Sequence, residues 1–339
     1  MVIATLLALS ACGRLYGFED FTAAGTTGAA GGSGASGSGG SGGSLPGWSS
    51  SCFDNEQNGD ESDVDCGGSC PRCARDKVCL SNDDCWNGDC LTAHLCSGSC
   101  PPKMAAFKTV DQETFCIDTY EVTQEQYQLF LATGPSLGRQ PPPCAAFNDS
   151  FAPRTTPGGL DEGHADCTAN SFLPTDPDFR QKPVVCVDWC DAVAYCLDHG
   201  KFLCGSAATP DQSLDSLGFL DFPGDDAFLT ACTSGDENNR YPYGDDYAPK
   251  TCNGLNYAEN IPSLVDVGQT PSCVSSNSSS KAYNLVGNAA EWSTQCKTST
   301  NQCSVRGGSF LDGESGTCDH AVPVNKADAF ADVGFRCCG

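Results

Sequence analysis

Asn284-Leu285-Val286-Gly287-Asn288-Ala289-Ala290-Glu291-Trp292 is the stretch on which the reading of this chain turns. It packs two Asn, a Gly, a carboxylate and a large aromatic into nine residues. Gly and Asn tolerate positive φ, so the backbone can curl tightly and turn several carbonyl oxygens to one side. With the Asn284 amide oxygen and the Glu291 carboxylate added, the loop offers hard oxygen ligands of the kind calcium takes. Trp292 would anchor the loop in a core. The same residues also read as a turn that only positions Trp292, with Glu291 bonded to backbone amides.

The composition bounds what surrounds this loop. The 339 residues have room for two domains, and the formal charge is -25. A charge of that sign repels nucleic acid and anionic lipid, so neither is expected as a partner. Twenty-five Cys is far above ordinary usage. So many thiols point to an oxidising compartment and a disulfide framework.

The amino-terminal stretch, residues 1–12, is short and apolar and ends Leu9-Ser10-Ala11-Cys12. It resembles a bacterial lipobox, in which Cys12 becomes the lipidated first residue after cleavage; an ordinary secretory signal with an incidental Cys is the alternative. With Cys12 set aside, an even 24 Cys remain. Residues 13–51 are read as a Gly/Ser-rich linker, a flexible tether reaching roughly 30 Å. Secretion and a lipid anchor in the cell envelope, at the outer membrane, follow as expectations.

Residues 52–100 carry nine Cys and few apolar residues, so cross-links must supply what a core cannot. Nine is odd, and Cys100 is expected to pair outside the module with Cys116. Cys70-Pro71-Arg72-Cys73 has a spacing that also suits zinc, but no second pair follows at finger spacing. Asp54-Asn55-Glu56-Gln57-Asn58-Gly59-Asp60 resembles the start of a calcium loop, with Asp65 where a Glu belongs; a solvated acidic turn is the preferred reading. The run from Asn58 to Gly68 looks like the Cys-rich spacers of large myxobacterial surface proteins.

The main domain is placed at 103–339. Phe115-Cys116-Ile117 reads as a short strand. Thr123 and Gln126 form a capping box, Tyr127, Phe130 and Leu131 share one helical face, and Gly134 stops the helix. Residues 135–180 read as loop, and Pro183-Val184-Val185-Cys186-Val187 as a buried strand. Asp188 caps the next helix, with Asp191 three on, and Gly200 ends it. Cys190 and Cys196 point apart on that helix and need different partners. A helical turn is expected at Phe228, Leu229 and Cys232, a rigid aromatic turn at Tyr241-Pro242-Tyr243-Gly244-Asp245, and a strand from Val305 to Phe310.

Five motifs occur in order: Glu121-Val122-Thr123-Gln124-Glu125-Gln126-Tyr127, the aromatic turn at Tyr241, the loop at Asn284, Arg306-Gly307-Gly308-Ser309-Phe310, and Val333-Gly334-Phe335-Arg336-Cys337-Cys338. That order resembles the sulfatase-modifying-factor family, whose founding member is the formylglycine-generating enzyme, over about Phe107 to Gly339. The resemblance implies an irregular α+β, C-type-lectin-like fold, here preceded by the small disulfide-rich module. It also implies a calcium site, carried over to Asn284, Gly287, Ala289 and Glu291, and hints at a second metal site involving Asn253 and Glu259.

The family's oxidases hold copper(I) on two thiolates with four residues between them, shortly after the Gly-Gly-Ser-aromatic motif. Soft sulfur suits that ion. Those positions fall on Asp312 and Thr317 here, with Cys318 one residue off, and Cys318 is read as a disulfide partner of Cys337 or Cys338. Ser309 matches the family's pocket serine, and Ala290 stands where an aromatic is usual. Four scattered His (His94, His164, His199 and His320) read as surface groups. The expected function is therefore a non-catalytic, calcium-stabilised envelope lipoprotein that binds a protein or glycan. The alternative is a copper-dependent oxidase converting a substrate cysteine to formylglycine, with Cys318 and Ser309 as its catalytic residues.

Overall fold

The computed structural model describes residues 50–339 apart from 55, 110–111, 113, 158–162, 206–225, 237, 258–261 and 277–279. The expected leader with Cys12, nearly all of the linker, and Glu259 lie outside the described residues.

Helices begin where short-range hydrogen bonds start them. Thr123 opens α1 (Gln124–Ala132) with a complete capping box to Gln126. Tyr127 and Phe130 are buried, Leu131 packs beside them, and Gly134 at φ 68° ends the element. Asp188 opens α2 (Trp189–Asp198) in the same way: its Oδ1 accepts from Asp191 N–H at 3.0 Å, and Asp191 Oδ2 accepts from Asp188 N–H at 3.1 Å. This helix is buried from Trp189 through Cys196, so it is the central one. Asp226 caps the short α3 (Ala227–Thr233).

In chain order the strands are β1 (Met104–Lys108), β2 (Thr114–Asp118), β3 (Phe202–Leu203), β4 (Val274–Ser276), β5 (Lys281–Tyr283), β6 (Ala290–Lys297), β7 (Gln302–Arg306), β8 (Ala321–Asn325), β9 (Val333–Gly334) and β10 (Cys337–Cys338). One sheet runs β1-β2-β10-β3 and another β8-β7-β6-β9, while β4 and β5 form a hairpin. The β6–β9 contact is parallel, pairing Ala290 with Val333 and Glu291 with Gly334. It brings the chain's last strands beside the loop at Asn284. Long-range pairing of many short strands with few helices makes this an irregular α+β fold.

Two expected strands are corrected. Pro183 to Val187 is buried, but its polar backbone is satisfied by loops: Val184 N–H donates to Val122 O at 2.8 Å and Cys186 N–H to Phe330 O at 2.9 Å. Cys186 sits at φ 63°, which breaks an extended path. The strand expected over Val305 to Phe310 ends at Arg306, because Gly307 and Gly308 at φ 80° and 71° turn the chain away.

The core forms between α2 and β6. Trp292 is fully buried, and its Nε1 donates to Val187 O at 3.0 Å. Trp189 Nε1 returns the contact to Ser293 O at 2.9 Å. Tyr127, Phe130, Tyr195 and Phe335 stack around α1 and α2 with ring separations from 5.3 to 6.2 Å.

Disulfides close the frame, and all 24 described Cys are paired. Cys100 bonds Cys116, and Cys190 and Cys196 go to different partners, Cys144 and Cys337. Cys70 bonds Cys52 and Cys73 bonds Cys66, which leaves that pair no thiolate for zinc. At Asp54 the acidic side chains turn to backbone amides: Asp54 Oδ1 accepts from Glu56 N–H and Asp65 Oδ1 from Asp54 N–H, both at 2.9 Å. That is the geometry of a solvated acidic turn. The described residues form one compact unit, which includes the Cys-rich segment.

Burial pushes the Asp188 carboxyl up to about 6 from 3.8, and the Asp191 N–H opposes it. Asp188 therefore holds its proton more tightly folded than unfolded. Its contribution is most favourable below pH 3.8, and stability is lost as pH rises through about 6. Asn also caps helices well, so Asp188→Asn removes the titration and keeps the cap. Denaturant unfolding across this range should show the wild type losing stability relative to that variant as pH rises.

Candidate functional site

The loop that follows β5 does curl as its residues suggest. Asn284, Gly287 and Asn288 lie at φ 55°, 74° and 63°. Gly287 is also required by space, since a Cβ there would meet Asn253 O at 2.7 Å. Asn253 holds the turn from outside. Its carbonyl accepts from Asn288 N–H at 2.7 Å, and its Nδ2 donates to Asn288 Oδ1 at 2.9 Å. Asn253 is thus a brace of the loop, and Glu259, its expected partner in a second metal site, lies outside the described residues.

Glu291 faces neither solvent nor backbone amides. Both of its oxygens accept from Arg336: Nε at 2.9 and 2.7 Å, and Nη2 at 2.6 Å. The two side chains are fully buried, and Arg336 also donates to the carbonyls of Asp118, Tyr283 and Asn284. Glu121 completes the cluster, accepting from Asn288 Nδ2 at 2.8 Å and Asn284 Nδ2 at 3.3 Å. Burial pushes the Glu121 carboxyl up to about 7, against the pull of Arg336. Burial also raises Glu291, and its direct contact with Arg336 opposes the rise.

This arrangement tests the calcium ligand set. Asn284, Gly287 and Ala289 lie in the buried turn, and Glu291 follows at the start of β6. Asn284 Oδ1 accepts from the Thr270 hydroxyl, and the Glu291 carboxylate is already bonded to a cation of the protein. The donors are of the right chemical class, and an ion held by all four would share the carboxylate with Arg336.

The loop docks against the Gly307-Gly308-Ser309-Phe310 turn, with Phe310 N–H donating to Asn288 O at 3.0 Å. A Cβ on Gly307 would meet Leu285 O at 2.4 Å, so only glycine allows this approach. Ser309 is buried between two carboxylates. Its N–H donates to Asp312 Oδ2 at 2.7 Å, and its hydroxyl to Asp332 Oδ2 at 3.0 Å. Asp332 also accepts from Ala165 N–H at 2.8 Å and contacts His164 Nδ1 at 2.9 Å. His164 is therefore not the surface group expected: its side chain is 9 % exposed and stacks 4.7 Å from the Phe330 ring. The His164–Asp332–Ser309 chain spans more than 160 residues of sequence, and no spacing announced it.

Beside Ser309 opens a small cleft lined by Tyr241, Tyr243, Tyr247, Val286, Ser309 and Asp312 among others. Asp312, at the first expected thiolate position, contributes a carboxylate. Thr317, at the second, is buried with its hydroxyl on Asp319. Cys318 is bonded to Cys232, not to Cys337 or Cys338, which join Cys196 and Cys204. The physical reason is topological. β10 lies between β2 and β3 and so faces the cysteines near α2, while Cys318 sits by α3. Ala290 is buried in the core.

Removing one partner of a buried ion pair strands the other. Arg336→Met should cost about 3–5 kcal/mol in denaturant unfolding, because Glu291 would be left charged and unpaired. The double variant with Glu291→Met should recover a large part of that loss.

None of the curated proteins is a significant match to this chain. Solved structures with a related arrangement include "Crystal Structure of CarF", at 20% identity and TM-score 0.40, covering 69% of this chain and 92% of that one. PvdO from Pseudomonas aeruginosa matches at 16% identity and TM-score 0.41, covering 67% and 80%. Treponema denticola variable protein 1 matches at 15% identity and TM-score 0.40, covering 69% and 94%. Residues 88–339, which include part of the Cys-rich segment, match the sulfatase-modifying factor enzyme 1-like domain. The chain belongs to the sulfatase-modifying factor enzyme 1-like family.

Proposed function

We propose that this protein is a binding module of the cell envelope that keeps the family's fold without its oxidase chemistry, and that its ligand is a protein or glycan. One observation carries the reading: the sulfurs at and beside the pocket are cross-linked, Cys252 to Cys273 and Cys318 to Cys232. Asp312 and Thr317 stand where the resemblance places thiolates, and neither offers the soft sulfur that copper(I) prefers. What remains is a small, aromatic-lined cleft with one carboxylate, a composition suited to contacting a ligand.

Two further parts belong to the proposal. A lipidated Cys12, followed by the linker over 13–51, would hold the folded unit clear of a membrane surface. A structural calcium ion on Asn284, Gly287, Ala289 and Glu291 is supported by the oxygen donors gathered there. Glu121 and Glu291 bring two carboxyl groups against the one guanidinium of Arg336; burial favours the protonated form of Glu121, and a bound cation would favour its charged form.

Mass-spectrometric thiol mapping of the mature protein tests the central reading. Essentially no free thiol and no stoichiometric copper(I) binding are expected, with Cys318→Ser only lowering stability. Two free thiols that bind copper(I), and loss of cysteine oxidation in Cys318→Ser, would make it an oxidase instead. The same spectra report whether Cys12 carries a lipid.

Calcium is tested by melting. Excess Ca²⁺ should raise Tm, and a chelator should lower it again; at one hundred times Kd the stabilisation is about 2.7 kcal/mol. An unchanged Tm would remove the ion from the proposal and leave the binding reading in place.

A further inference from the structure

Three short extended runs lie side by side in the Cys-rich segment, away from the cleft at Ser309. Val78 pairs antiparallel with Leu95, and Cys90 with Cys96. Cys79 N–H donates to His94 O at 3.0 Å and Leu91 N–H to Leu95 O at 2.9 Å, so Val78, Leu95 and Leu91 stand opposite one another in a row. Directly opposed residues share a face, and neighbours along a strand alternate between faces. The alternation turns Cys79, Cys90 and Cys96 into the cystine cluster and Val78, Leu91 and Leu95 away from it. Val78 is 41 % exposed and Leu91 45 %, and Leu80, two residues beyond Val78, reaches 72 %. A single surface leucine is ordinary. Here four of the seven exposed large apolar side chains among the described residues fall in this one segment, Val64 being the fourth.

Charge selects what covers this row. Residues 52–100 hold ten acidic residues and three basic ones. The cations are already placed: Lys77 Nζ lies on Asp63 at 3.3 Å, Arg75 Nε on Asp76 at 3.2 Å, and the Arg72 stem packs at Gly200. Asp89 stands two residues before Leu91, on the same face, and Asp83 three residues after Leu80. Both are exposed, and neither carboxylate accepts a hydrogen bond among the described residues. A second copy of the chain would bring its own charge of -25 to the contact and be repelled, as would anionic lipid. An apolar row with open carboxylates beside it is complementary to a segment that carries apolar and basic side chains together.

We propose that this face of the Cys-rich segment docks a short stretch of a partner protein in which leucine-like and lysine or arginine side chains are interleaved. Its apolar side chains lie on Val78, Leu91 and Leu95, and its cations meet Asp89 and Asp83.

Calorimetric titration of the full chain with three blocked peptides tests this. One repeats Lys-Leu-Leu-Lys, one replaces its leucines with serine, and one replaces its lysines with glutamate. The first should bind at least about tenfold more tightly than either of the others, and added salt should weaken it. Its binding should protect the amides of residues 77–95 from hydrogen exchange. The double variant Val78→Ser with Leu91→Ser should lose about tenfold in affinity with Tm unchanged, because both side chains are exposed. Asp89→Asn, a second variant that keeps the apolar row, should weaken binding less and flatten its salt dependence. Equal binding of the serine peptide, protection elsewhere on the chain, or full affinity in both variants would overturn the proposal. So would wild-type dimers that vanish in the double variant on sedimentation, which would give the face to a second copy. Capture on phosphatidylcholine vesicles that is lost in the same variant would give it to lipid, and would overturn the proposal too. None of these outcomes moves the thiol count, so the non-catalytic reading stands or falls separately.

Discussion

Arg336 and Glu291 meet with both side chains fully buried, and the guanidinium goes on to bond the carbonyls of Asp118, Tyr283 and Asn284. Those oxygens come from the end of β2, the end of β5 and the start of the loop. One cation therefore fastens one sheet, the hairpin and the loop to the strand that ends the chain. A planar fork with five donors can serve several acceptors at once, which an ammonium could not. In low dielectric each bond is strong, and each partner left alone would be costly. The turn at Asn284, the seating of Ser309 and the cleft beside it all depend on this tie.

Sulfur and oxygen divide the remaining work. The disulfides hold segments that are too short and too polar to bury a large core, and they do so across loops as long as 141 residues. Among the described residues no cysteine is left over for chemistry. At the pocket, polar atoms take the place of sulfur: Ser309 between Asp312 and Asp332, with His164 behind. A hydroxyl that donates to carboxylates is held as a donor, and His164 contacts Asp332 rather than Ser309. This is not the relay a serine nucleophile needs, in which the base accepts the hydroxyl proton.

What could be read from the chain follows the range of the interactions. The capping boxes at Thr123 and Asp188 were legible because donor and acceptor are three residues apart. The left-handed turn at Asn284, Gly287 and Asn288 was legible because it is a property of those residues themselves. The buried stretch at Pro183 was legible as buried but not as irregular, since apolarity reports burial and not pairing. The partner of Glu291 was not legible: it lies 45 residues away, and backbone amides and a hard cation fitted the local pattern equally well. Nor was the pocket, where the tyrosines meet Asp312 only once the chain has folded back.

Cysteine parity, the acidic charge and the helix starts were set by composition and by neighbours in sequence, because covalent proximity fixes those interactions before any fold exists. The fold alone decided that Cys318 joins Cys232, that Arg336 answers Glu291, and that His164 reaches Asp332. Such choices belong to surfaces that bury against one another across long loops. Parity says that every thiol finds a mate, but only the packing of β10 between β2 and β3 says which mates are within reach.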